Sequence, residues 1–309
     1  MVNSASDFFD DRSEYENFVL CTNEKEKIAQ FAGKQLEHLP RDLSEFSLFD
    51  AGVGSGGVLM GVLGKAHTHF NDIPFRVVGK EISGRDVLIA SKKIPGFLLQ
   101  HPLTVFSFTN MSYAAAPWLS PKSGPENIVW KYIKLKGESA EAFQEQLSDL
   151  EDFVHKNWRA SLVPGKGLVP EKIVVLVIYR EDCKIALNPV VPVKGKAGSG
   201  YHCAIASQPW RSRASAESKA ANIIKPLALS LLRGGCLVCI QACNNNPGLK
   251  VIHEISPGED PFPFDFHALI TATQNALGKG IAQKFNFTPG EPFRYDMQGL
   301  DGEAWTDSV

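Results

Sequence analysis

An α/β protein, built on a mostly parallel sheet with helices on both faces, is the fold this sequence predicts. Three observations carry the expectation. Strands and helices alternate from Phe46 to Thr109, the alternation resumes from Tyr201 to Ile240, and a glycine-rich turn follows the first strand. The 309 residues are 44% hydrophobic and 21% charged, an ordinary globular composition that can bury a full core. Lys+Arg total 32 against Asp+Glu 34, a net charge of −2, so the chain as a whole lacks a strongly basic nucleic-acid footprint. The longest uncharged apolar run, Ile173 to Tyr179, is far short of the ~20 residues that span a bilayer, and no membrane partner is expected. The opening residues lack a basic start followed by an apolar stretch, so no signal peptide is read and a cytoplasmic location is expected. Six cysteines in a chain of this size do not make a disulfide scaffold.

Taken in order, residues 1–20 are acidic and aromatic without clean periodicity. Asn23 or Thr22 can cap a helix from Glu24 to about Leu39, with Ile28, Phe31, Ala32, Gln35 and Leu36 as its stripe and Pro40 at its end. Residues 1–45 therefore read as an amino-terminal helical segment ahead of a domain at 46–309. Phe46–Asp50 reads as a buried strand, followed by a helix from about Gly57 to Lys65. Phe75–Glu81 is a second strand, Asp86–Lys93 a helix, and Leu103–Thr109 a third strand rich in β-branched and aromatic residues.

Residues 113–200 interrupt this rhythm. They hold a candidate strand at Ile128–Leu135, a helix from about Ser139 to Trp158, and a hairpin pairing Lys172–Tyr179 with Lys184–Leu187. Proline and glycine surround these elements, and the segment reads as an inserted cap or lid. A strand at Tyr201–Ala206, a helix at Ser215–Leu232 and a strand at Gly234–Ile240 follow, the last after a Gly-Gly helix stop. The tail offers a helix at 267–282 and a strand pair near Phe285–Phe287 and Phe293–Tyr295.

The strongest chemical signal is Phe49-Asp-Ala-Gly-Val-Gly-Ser-Gly-Gly57. Gly52, Gly54 and Gly56 let the chain turn sharply and let a ligand approach the backbone, while Asp50 ends the first strand, where open α/β sheets bind ligands. Gly52, Gly54 and Gly57 also match the dinucleotide pattern G-x-G-x-x-G, and Glu81 suits ribose hydroxyls in either reading, so the loop alone leaves both open. Two features tilt the balance. The Asp50 carboxylate beside the loop favours a cationic ligand over a pyrophosphate. Ser207-Gln-Pro-Trp210, at the carboxyl end of the fourth strand of the rhythm, makes a rigid pocket for an amine, with polar acceptors and an indole face for a developing cation.

On these residues the chain resembles the class I S-adenosylmethionine-dependent methyltransferases. Asp50-Ala-Gly-Val-Gly-Ser-Gly56 is similar to their first motif and Val78-Gly-Lys-Glu81 to their second, with Glu81 in the ribose-binding place. Asn110 and Met111 fall where such enzymes contact adenine, Ser207-Gln-Pro-Trp210 resembles the acceptor motif of amino-methyltransferases, and Gly234–Ile240 resembles their fifth strand. Gln208 stands where that motif has its first proline, and His202 where an aspartate is often found. The resemblance implies a seven-stranded Rossmann-like methyltransferase sheet and S-adenosyl-L-methionine as cofactor. It implies Asp50, Gly52, Gly54, Gly56, Glu81, Asn110 and Met111 as cofactor-binding residues, with Ser207, Gln208, Pro209 and Trp210 as catalytic ones. Tyr113 and Arg211 would bind substrate, taken as a small molecule with a nitrogen acceptor. The alternatives are an NAD(P)-dependent oxidoreductase, a methyltransferase acting on protein or RNA, and a binding protein that has lost its chemistry.

Other candidate sites read as ordinary structure. Cys236 and Cys239 fall an odd number of positions apart on a strand and face opposite sides, so with Cys243 they read as core cysteines and no metal site is expected. His67-x-His69 reads as a solvated loop. Arg211, Arg213 and Lys219 read equally as an anion-orienting cluster or a solvated helix start. The basic runs Lys131–Lys136 and Lys194–Lys196 read as exposed faces.

Overall fold

A computed structural model describes residues 22–120, 127–164, 167–209, 214–242, 254 and 264–296. The elements are α1 Glu24–Gln35, β1 Phe46–Asp50, α2 Gly57–His69, β2 Phe75–Lys80, α3 Gly84–Ser91, α4 Ile94–Gln100, β3 Thr104–Thr109 and β4 Ile128–Leu135. They continue with α5 Ala140–Gln146, α6 Leu150–Asn157, β5 Ala160–Val163, β6 Gly167–Pro170, β7 Ile173–Arg180, α7 Lys184–Leu187 and β8 Tyr201–Ser207. The last are α8 Ala216–Lys219, a π-turn at Ala220–Ile224, α9 Lys225–Leu229, β9 Leu231–Ile240, α10 Phe266–Leu277 and α11 Lys279–Ala282.

Seven strands form one Rossmann-like sheet in the order β4-β7-β3-β2-β1-β8-β9. The five strands β3, β2, β1, β8 and β9 run parallel, whereas β7 pairs antiparallel with β3 and β4 pairs parallel with β7. Side chains alternate between two apolar layers. Leu48, Val77, Phe106, Leu176 and Ile205 face one, with α1 to α6; Phe49, Val78, Val105, Val177 and Ala204 face the other, with α8 to α10. Burial on both faces is why these strands read as continuous apolar runs.

The 113–200 segment does not simply lie over the sheet as a cap. Its strands β4 and β7 lengthen the sheet beyond β3. Ile173–Tyr179 is apolar at every position because its interior residues are buried on both faces, and no hairpin forms, since Lys184–Leu187 is helical. At the outer edge, β4 exposes Lys131 and Lys134, charges that discourage further strand pairing. The helix expected over 139–158 is two helices, α5 capped by Ser139 and α6 after it.

The tail also differs from expectation. Phe285–Phe287 and Phe293–Tyr295 are not strands. Phe293 instead stacks on Phe31 of α1, ring centroids 5.6 Å apart, and the Asp296 backbone N–H donates to Asn23 Oδ1 at 2.7 Å. The amino-terminal helix is thus part of the core: it packs on α2 inside and carries the tail outside.

Candidate functional site

The strand order reverses direction between β1 and β8, since β2 and β3 lie on one side of β1 and β8 and β9 on the other. Connections diverge there and leave a crevice at the carboxyl ends of the strands, the place where open α/β sheets bind ligands. Asp50, at the end of β1, pairs in register with Ile205 of β8, and Ser207 ends β8. The glycine loop and the Ser207–Pro209 turn therefore meet through topology.

The loop is held by carboxylates. Gly52 donates its N–H to Asp50 Oδ1 at 3.0 Å, and Gly54 donates to Glu81 Oε2 at 2.8 Å. The other oxygen of Glu81 accepts from the Ser83 N–H at 2.9 Å. Gly54 has φ +51° and Gly56 φ +80°, left-handed conformations open to glycine at little cost. Gly56 also admits close packing, because a Cβ there would come 3.1 Å from Ala90 Cβ on α3.

Asp50 is 1% exposed, and its Oδ2 is buried with no hydrogen-bond partner. Burial pushes its pKa up to about 6, with the Glu81 charge adding to the rise and the Gly52 N–H and Lys25 opposing it. A buried acceptor without a donor costs free energy, and a ligand bearing N–H groups would recover it. Lys25 stands against the loop: a Cβ on Gly54 would lie 3.9 Å from its Nζ.

The turn after β8 closes the opposite wall. Pro209 rests against the loop, 3.3 Å from where a Cβ on Gly52 would sit. Gln208 has φ +48°, a left-handed conformation rarely taken by a non-glycine residue, and its Nε2 donates to Glu24 Oε1 at 3.4 Å. Tyr113 donates its hydroxyl to the Pro209 carbonyl at 2.6 Å, and Lys80 Nζ lies 4.7 Å from the centre of the Tyr113 ring. Burial raises the Tyr113 pKa and lowers that of Lys80.

Asp50, Gly52, Gly54, Gly56, Glu81, Ser207, Gln208, Pro209 and Tyr113 thus come together as one locality. Asn110 is placed otherwise. Its Nδ2 donates to the Lys172 carbonyl and its Oδ1 accepts from the Val174 N–H, both at 2.9 Å, so the amide clamps β3 to the start of β7. Met111 is 1% exposed and lies in the apolar layer with Phe49 and Val78. Trp210, Arg211 and Arg213 lie outside the described residues, as does Cys243. Lys219 is turned inward at 1% exposure rather than solvated, and Arg76, Ser47 and His202 knit the opposite ends of β1, β2 and β8.

Glu24, Lys25 and Lys80 also lie at this locality, and the sequence did not single them out. In sequence Glu24 is only the first residue of a helix, and its position against Gln208, 184 residues away, is what sets it apart. His67 and His69 are not in a solvated loop: both lie in the last turn of α2, and His67 Nδ1 meets His101 Nδ1 at 2.9 Å. Among the described residues no group of three or more His, Cys, Asp or Glu side chains converges as a metal site, and no helix is long and apolar enough to cross a membrane. A surface hollow lined by Gln274, Lys279 and Phe285 lies at α10 and α11 and has no acidic side chain in its lining.

No protein-family model matches the chain, and no curated protein matches it. Among solved structures, it is similar to the rRNA methyltransferase aviRa from Streptomyces viridochromogenes, with 18% identity and a TM-score of 0.28 over 69% of this chain and 70% of that one.

Proposed function

We propose that this protein is an S-adenosylmethionine-dependent methyltransferase that acts on a nitrogen of a small molecule. The observation that carries the reading is the buried, unpartnered Asp50 Oδ2 beside a glycine loop at the sheet's switch point. A carboxylate there repels the pyrophosphate of a dinucleotide and suits an ammonium group. With Lys25 against the loop, the two charges fit a zwitterionic amino-acid end. Glu81 keeps unused lone pairs beyond its two backbone bonds and can accept from ribose hydroxyls.

When bound, S-adenosylmethionine supplies an electrophilic methyl group on a sulfonium. The chain's own part is alignment and exclusion of water. Asp50 and Glu81 hold the cofactor, Gly52 and Gly54 let it approach the backbone, and Ser207, Gln208 and Pro209 orient the acceptor. Trp210 stabilises positive charge as it develops on the acceptor. The net charge of −2 favours a small-molecule substrate over a nucleic acid.

Calorimetric titration with S-adenosylhomocysteine and with NAD tests the class of ligand. Saturable binding of the first alone supports the proposal, and binding of NAD alone replaces it with an oxidoreductase. Transfer of a radiolabelled methyl group into cell-extract fractions split by size then separates small-molecule, protein and RNA substrates.

A further inference from the structure

The acceptor side of the site holds one group that the methyl-transfer reading does not use. Glu24 is the first residue of α1, yet it is only 8% exposed. An acid in the first turn of a helix gains from the helix dipole while remaining in water, so the dipole does not account for its burial. Its carboxylate faces the turn after β8, where the bond from Gln208 Nε2 is long at 3.4 Å. Gln208 holds a strained left-handed backbone at that position, and such strain gathers where geometry serves a ligand. Pro209, next along the turn, abuts Gly52. Helix α1, the glycine loop and the turn after β8 therefore converge on one spot, with the Glu24 carboxylate against Gln208.

Burial makes Glu24 hold a proton more readily than an ordinary glutamate, while the adjacent Lys25 opposes that shift. A weakly satisfied, buried carboxylate is an unfavourable neighbour for an anionic substrate and a good receiver for a proton released inside the site.

We propose that Glu24 is the proton acceptor on the substrate side, and that the methylated atom is an uncharged nitrogen carrying at least one hydrogen. The inference rests on the methyl-transfer reading. The nitrogen lone pair forms the N–CH3 bond as the S–CH3 bond breaks, and the bonding pair stays on sulfur, turning the sulfonium into a thioether. The positive charge now on nitrogen is discharged when its proton passes to a Glu24 oxygen, leaving a neutral methylated amine and a neutral carboxylic acid.

The test needs no substrate. Sinefungin carries an amine-bearing carbon in place of the sulfur of S-adenosylhomocysteine, so it presents an ammonium where the transferred methyl would be. Both ligands are titrated calorimetrically into the full chain, Glu24→Gln and Glu24→Asp. The parent is expected to prefer sinefungin. Glu24→Gln should weaken sinefungin about tenfold, the equivalent of 1.4 kcal/mol, while changing S-adenosylhomocysteine less than about twofold. Glu24→Asp should keep part of the preference. If Glu24→Gln does not fold, Glu24→Asp must itself weaken sinefungin selectively. A parallel change for both ligands, or no change in their ratio, overturns the role of Glu24 and leaves the methyltransferase reading standing. Failure of both ligands to bind the parent overturns that reading first.

Discussion

Gly54 donates its backbone N–H to Glu81 Oε2 at 2.8 Å, so the carboxylate just after β2 holds the glycine loop that follows β1. The same carboxylate accepts from Ser83, at the start of α3. One side chain thus organises two strand ends and a helix entry. Glu81→Ala should weaken S-adenosylhomocysteine binding by about 1–3 kcal/mol, the cost of losing a charged hydrogen-bond partner. Glu81→Gln should lose less, because one acceptor oxygen survives. Calorimetry on the two variants checks the order.

Asp50 gives a pH signature. Its folded pKa of about 6 lies above the ordinary value of 3.8, so the folded state holds more protons between those limits. Its contribution to stability therefore falls as pH rises from about 4 to 6 and levels off above. Asp50→Asn should remove that slope and raise stability at pH 7 by up to about 3 kcal/mol, since each pKa unit is worth 1.36 kcal/mol. The same variant should lose S-adenosylhomocysteine binding. Urea unfolding at pH 4.5 and pH 7 for both proteins gives the comparison.

His101 should act with the opposite sign. Burial in an aromatic nest holds its pKa down at about 4, and it stacks 3.8 Å from Phe75 while its Nε2 meets the Ile73 carbonyl at 3.0 Å. The unfolded chain takes up a proton first as pH falls from 6.5 towards 4, so stability is lost over that window. His101→Phe keeps a ring but cannot titrate. Between pH 7 and pH 5 its melting temperature should fall less than that of the parent, as differential scanning calorimetry would read.

Gly79 tests the seat of the loop. A Cβ there would collide with Val53 Cγ2 of the glycine loop and come 3.1 Å from Phe108 Cδ1. Val53 is β-branched and 3% exposed, so it cannot swing aside. Gly79→Ala should cost about 1–3 kcal/mol by overpacking and should weaken S-adenosylhomocysteine binding as well. Chemical denaturation with and without the ligand separates the two effects.

Tyr113 ties down the turn after β8, proposed to orient the acceptor, through its bond to the Pro209 carbonyl. Tyr113→Phe should leave S-adenosylhomocysteine affinity within about twofold, since the bond lies on the acceptor turn, and should cost about 1 kcal/mol of stability. A large loss of affinity would place Tyr113 on the cofactor instead.

The sequence alone determined the parallel strands β1, β2, β3 and β8, the glycine loop and the position of Glu81, and β9 from Gly234 onward, although β9 begins at Leu231, within the expected helix. Each is written in a short stretch: runs of apolar residues for strands buried on two faces, and glycines where φ turns positive. The tertiary structure decided what those stretches meet. Ile173–Tyr179 reads as a strand from its composition, but its place antiparallel beside β3, with β4 beyond it, depends on which edge was open. Asn110 is marked in sequence as a cofactor contact by the family resemblance alone, and its amide is a clamp because Val174 arrives beside it, 64 residues later. Phe293 and Tyr295 alternate as a strand would, yet α1 offers an aromatic surface and Phe293 packs there. Glu24 meets Gln208 only when α1 docks across the turn after β8. Periodicity records which face of an element is apolar; the partner that covers it is chosen by contacts between distant residues, whose cost and gain appear only in the folded chain.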